Sequence, residues 1–227
     1  MDYDKILEKI LREYGIASQD IPHRKIITEK LAKKVASYAD AEKFAQEVGG
    51  VLTDILREHL PGALTNGMLY RAAATKLVGG PMKTASRDVA GVAVDIQRQL
   101  NENAGIGLNA ITPELNQDQI DGIITGICNA ESYENNVEQF MDQVAGFFEG
   151  YVDDFVHENA DFQSKTGLKI LVQRILMGNK PCEWCKALAG TYDYEEVRDK
   201  GNDVWRRHNN CHCQIIYDPR GSKVRVY

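Results

Sequence analysis

Four of the five cysteines in this 227-residue chain fall between positions 182 and 213, as Cys182-x-x-Cys185 and Cys211-x-Cys213, with His208 just ahead of the second pair. Few features restrict a fold as tightly, because each pair has to reach a common partner and the chain between the pairs has to close on itself. The segment that carries them, 163–227, changes texture from what precedes it. "LKILVQRILM", "CQIIYDP" and "KVRVY" are rich in β-branched and apolar residues and predict strands in a small α+β module. A segment of roughly 60 residues is marginal for a stable apolar core of its own.

A metal ion answers that shortage. Cys182 and Cys185 can reach one ion from a tight knuckle. If "CHCQIIY" enters a strand, Cys211 and Cys213 point to one face and His212 to the other. Cys182, Cys185, His208, Cys211 and Cys213 are then five candidate donors for a closed zinc site, which takes four. Closure by zinc would contribute on the order of 10 kcal/mol of apparent folding energy. A disulfide framework is disfavoured. The N-terminus, "MDYDKILEKILREYG", is charged throughout and lacks an apolar signal core, which predicts a chain made in the reducing cytosol. Cys128 is remote on a helical stretch and reads as a small buried hydrophobe.

Residues 1–162 read as a multi-helix body. "DAEKFAQEVGGVLTDILREHL" has Asp40 as cap and apolar residues at helical spacing from Phe44 to Leu56, and Pro61 and Gly62 end it. A second helix is expected from Ser86 to near Gly105. A third is expected with Thr112 as cap and Pro113 at its first position. The longest covers 135–162, where Val137 through Phe155 form a wide apolar stripe suited to helix packing. "VGGPMK" at 78–83 lacks phosphate-loop spacing and reads as a break between helices. The expected fold class is therefore mainly α: a helical body, 1–162, with a small C-terminal α+β zinc-stapled module, 163–227.

Formal charge is −6 and divides unevenly. Residues 163–227 carry 12 Lys/Arg against 7 Asp/Glu, a net of +5, which leaves −11 for residues 1–162. Such a body would repel a nucleic-acid backbone that the C-terminal segment would tolerate. Arg206 and Arg207 are the candidates for phosphate contact, with ion pairs to Asp199 and Asp203 as the competing use. Trp184 and Trp205 are expected to pack around the metal knuckle. No apolar run approaches the roughly 20 residues of a membrane helix.

Catalytic readings fit less well. "PCEWC" matches half of the zinc-deaminase signature, but "HENA" puts Glu158 one position from where a proton shuttle is needed after His157. A zinc-supported nuclease lacks a second catalytic histidine or a carboxylate cluster at recognisable spacing. A helical zinc-knuckle protein that binds a protein partner remains the plain alternative.

"CEWCKALAGTYDY" followed by "DVWRRHNNCHCQIIYDP" resembles the C-terminal motif of phage minor head proteins of the phage Mu F-like head morphogenesis group, in its Gram-positive phage form. The likeness is specific over about residues 168–219, and "ITPELNQDQIDGII" and "YVDDFVHENADFQSKTGL" support it loosely. The resemblance implies a non-enzymatic structural component of the virion, formed in the host cytoplasm. It implies few copies, association with portal and capsid proteins, and a part in head morphogenesis and DNA packaging or delivery. The family's ligand-like positions fall on Cys182, Cys185, His208, Cys211 and Cys213. His212 stands where the family usually has Arg or Lys.

Overall fold

A computed structural model describes residues 2–177, 181–208 and 213–219, and the backbone of 223 and 224. The chain is mainly helical and carries a small three-stranded antiparallel sheet near its C-terminus. The helices are α1 (Tyr3–Ala17), α2 (Pro22–Ala32), α3 (Tyr38–His59), α4 (Arg71–Ala74), α5 (Gly80–Asn103), α6 (Gln117–Cys128), α7 (Tyr133–Lys165) and α8 (Glu183–Leu188). The strands are β1 (Leu168–Lys169), β2 (Leu171–Ile175), β3 (Gly190–Asp193), β4 (Gln214–Tyr217) and β5 (Lys223–Val224). No helix among the described residues is long and apolar enough to cross a membrane.

The chain forms two compact units. The first comprises Met1–Arg24, Phe44–Val89 and Glu114–Tyr151, and the second Lys25–Lys43, Ala90–Pro113 and Val152–Tyr227. The segment 163–227, read from the sequence as a module of its own, lies in the second unit with 25–43, 90–113 and 152–162.

Among the described residues, the regular elements of the first unit are all helices. Its core takes Ile10 and Tyr14 from α1, Val48, Leu52 and Leu56 from α3, Ile120 and Ile124 from α6, and Phe140, Val144 and Phe148 from α7. Each set recurs at the three-and-four spacing of one helical face. Gly49 lets α3 and α7 approach closely, since a Cβ there would lie 2.9 Å from the Cα of Ala145. The stretch 78–83 does not break the helices as the sequence suggests. A π-helical turn at Thr75–Gly79 runs directly into α5, so Pro81 lies within a continuous helical stretch just past the π turn. Ser86 is therefore inside the helix, with its hydroxyl donating to Met82 O at 2.8 Å. The cap of α6 also differs from expectation. Asn116, not Thr112, accepts the N–H of Gln119 at 3.0 Å, and Pro113 lies in irregular chain ahead of the helix.

The second unit joins helices to the sheet β3-β2-β4. Central β2 pairs Val172 with Tyr192 on one side and Tyr217 on the other. β1 pairs separately with β5. "GTYD" forms β3. Tyr38 stacks on Tyr217 of β4 with ring centroids 5.8 Å apart. Two buried amide side chains hold irregular backbone the way a strand neighbour would. Asn159 accepts from Ile111 N and donates to Ile111 O, both at 2.8 Å. Gln99 accepts from Ala36 N at 2.8 Å and donates to Ala36 O at 3.1 Å. Each satisfies both backbone groups of a residue outside regular structure, which would otherwise be buried at a penalty. A further buried chain runs from Tyr38 through Gln97 to Asn101, which also takes the Nε2 of Gln163 at 2.7 Å.

Candidate metal centre

The knuckle is built by local hydrogen bonding. Cys182 precedes α8, and its sulfur accepts the N–H of Cys185 at 3.3 Å while its carbonyl accepts the N–H of Lys186 at 3.0 Å. This turn brings the two sulfurs of a C-x-x-C together. His208 arrives from the other side. A 3-10 turn at Asp203–Trp205, capped by the Asn202 side chain, ends in extended chain that carries His208 to the knuckle. Its Nε2 lies 3.2 Å from Cys182 Sγ and 3.0 Å from Cys185 Sγ. All three donor atoms lie within 4.8 Å of one another.

These atoms can hold a metal ion. Tetrahedral zinc bonds of about 2.3 Å to sulfur and 2.0–2.1 Å to nitrogen put sulfur and nitrogen ligands roughly 3.5 Å apart. The observed separations are a few tenths shorter, so an entering ion has only to spread the donors slightly. Cys185 is buried and Cys182 and His208 are exposed, which leaves the site open to solvent on one side. The Cys182 thiol is held below its ordinary pKa, first by the backbone N–H of Cys185 and further by the Cys185 and His208 side chains. This favours the thiolate, the form that binds metal.

Of the remaining candidates, Cys213 is buried at the start of β4 and packs with Cys185 and Leu176. Cys211 lies outside the described residues. Cys128, Cys182, Cys185 and Cys213 are not in disulfides. The Cys128 thiol sits on α6, raised in pKa by burial and away from the knuckle cluster. Among the described residues one other group of metal-type donors lies together, Glu13, Glu58 and His59. There the His59 ring is already hydrogen-bonded to Glu13 at 2.6 Å.

The tryptophans divide. Trp184, within the knuckle, meets the His208 ring edge-on at 5.6 Å between centroids. Trp205 does not pack there. It lies against His157 at 4.8 Å and Tyr194 at 6.3 Å, and its indole N–H donates to Val197 O. His157, the residue a deaminase would need near the cysteines, instead donates from Nε2 to Arg198 O at 2.9 Å.

The two arginines also divide. Arg206 is exposed and pairs with Asp203 at 3.0 Å, the local partner considered from sequence. Arg207 turns inward. Its Nε and Nη2 grip both oxygens of Asp153 in α7, and Nη2 also reaches Glu42 of α3 at 2.5 Å. The side chains of Arg207, Asp153 and Glu42 are 15%, 8% and 1% exposed, so this guanidinium is committed to buried carboxylates. Sequence reasoning missed Arg174 altogether. It occupies an inward position of β2, 2% exposed, and donates to Val204 O at 2.5 Å and Arg206 O at 2.9 Å. The only sequence signal for it was the alternation of β2, in which Val172 and Arg174 fall on the same face.

No protein-family model, curated protein or solved structure matches the chain.

Proposed function

We propose that this chain is a non-enzymatic minor head protein of a tailed bacteriophage whose C-terminal segment is stapled by zinc. On this reading it docks at the portal vertex through its helices and serves head morphogenesis and DNA packaging or delivery. The observation that supports the reading best is the meeting of Cys182, Cys185 and His208 at one point, since these come from both halves of the motif that resembles the phage group. Two sulfurs and an imidazole are a soft-to-borderline donor set that suits zinc over calcium or magnesium, which take oxygen. Cys213 or Cys211 would complete the tetrahedron. An ion held this way fixes α8, the His208 arm and the entry to β4 together, which is a structural task and leaves no need for an open coordination position.

Partner contact would fall to portal and capsid proteins, with DNA touched weakly through exposed Arg206. Arg207 does not enter this role, being engaged with Asp153 and Glu42. The test is co-purification of the chain with its cognate portal ring, together with deletion of its gene from the parent phage. Bound portal and defective or non-infectious particles are expected. Normal infectious particles without the protein would favour the plainer reading, a bacterial zinc-knuckle protein that binds another protein.

A further inference from the structure

We propose that Arg174 is a positioning residue for the metal site, holding the knuckle and the His208 arm in one arrangement before an ion arrives. This inference rests on the metal reading above and goes beyond it in naming what presents the ligands.

Arg174 is the residue where three elements meet. It stands on the central strand β2, paired to Gly190 of β3 and Ile215 of β4. Its Nη1 donates to the carbonyls of Val204 and Arg206, the two residues that lead the chain toward His208. Its guanidinium carbon lies 5.2 Å from the centre of the Trp184 ring, between Cys182 and Cys185, in cation–π geometry. The His208 ring also meets Trp184, edge-on with centroids 5.6 Å apart. One planar group therefore ties the sheet, the knuckle and the arm.

The chemistry requires arginine. A lysine could donate to one or both carbonyls, but it presents a single point charge and no flat face for the indole. A buried cation also needs compensation. Asp153 and Arg174 interact electrostatically, and with Arg207 and Glu42 they make a group of two positive and two negative side chains. Arg207, one residue before His208, anchors the same arm to α7 and α3. Partners outside the ligand set of a metal site commonly change affinity 10–100-fold when removed, because they fix the ligands' orientation.

The experiment uses the full chain at a temperature where circular dichroism shows each variant folded. Zinc affinity is measured by competition with a chromophoric chelator, and ligand geometry by the visible spectrum of the cobalt-substituted protein. Arg174→Lys is expected to weaken zinc about 10–100-fold and to broaden or shift the cobalt bands. Trp184→Leu changes a residue that is 36% exposed and leaves β2 intact, so it serves if Arg174→Lys fails to fold. It is expected to weaken zinc several-fold. Wild-type affinity and an unchanged cobalt spectrum in Arg174→Lys, or in Trp184→Leu where the first does not fold, overturn the proposal. A wild-type chain that takes up neither zinc nor cobalt overturns the metal reading instead, so the two failures are distinct.

Discussion

Arg207 grips both carboxylate oxygens of Asp153 one residue ahead of His208. The sequence places these residues 54 positions apart and gives no hint of the pairing. Burial pushes the Asp153 carboxyl up, and the Arg207 guanidinium opposes that push. The pair is therefore a point where removing one partner leaves the other charge stranded.

Arg207→Ala should destabilise the fold by about 3–5 kcal/mol in urea titrations. Arg207→Glu should do worse, since it sets a third carboxylate beside Asp153 and Glu42. The sequence offers Arg206 and Arg207 alike as phosphate contacts. The structure separates them. Arg206→Glu should change stability by no more than about 0.5 kcal/mol and reduce any salt-sensitive DNA binding. Equal stability losses for Arg206→Ala and Arg207→Ala would contradict the ion-pair assignment.

Gly49 and Gly50 should respond oppositely to alanine. Both sit within α3, where alanine is favoured over glycine by about 1 kcal/mol. At Gly50 a Cβ meets nothing within 4 Å, and Gly50→Ala should stabilise by about 0.4–1 kcal/mol. At Gly49 the new Cβ would strike the backbone of Ala145 at 2.9 Å, so Gly49→Ala should lower the melting temperature. Stabilisation by both substitutions would show that α3 and α7 are not in close contact there.

His157 should make the fold acid-sensitive. Burial lowers its pKa in the folded chain below the ordinary value. An unfolded histidine begins to take a proton near pH 6.5, and the folded one resists, so protonation favours unfolding. The stability contribution is full above about pH 6.5 and is lost as pH falls from there through the lowered folded pKa. His157→Gln should be less stable than wild type at pH 7.5 and lose less between pH 7.5 and 5.5. Parallel pH profiles for the two proteins would remove His157 from the account.

Metal removal should be visible through one tryptophan. Trp184 touches His208, whereas Trp205 packs on His157 and Tyr194. Stripping metal should shift the fluorescence of Trp205→Phe, which keeps Trp184, and leave Trp184→Phe nearly unchanged. The reverse pattern would place the ion elsewhere.

Legibility from sequence followed how local each signal was. The apolar stripes of α3 and α7 were readable because one helical face carries them, and α7 runs Tyr133–Lys165 over the expected 135–162. Gly79, Gly80 and Pro81 read as a break between helices, yet the π-helical turn at Thr75–Gly79 carries the chain directly into α5. Thr112 and Pro113 imitate a helix start, but Asn159, 48 positions from Ile111, fixes that stretch as irregular chain. β3 escaped notice because Gly190 and short length weaken a strand signal that pairing with β2 supplies. Cys182, Cys185 and His208 were legible because ligand chemistry restricts residue type and spacing. Arg174 was not, since a charge inside a strand pattern ordinarily reads as facing solvent.

The claim that a metal ion staples the C-terminal segment is tested most directly by the metal content of the purified chain, measured by elemental analysis alongside melting with and without chelator. About one equivalent of zinc per chain is expected, lost in Cys182→Ser and accompanied by a lower melting temperature on chelation. Less than about a tenth of an equivalent of any metal, with melting indifferent to chelator, would contradict it.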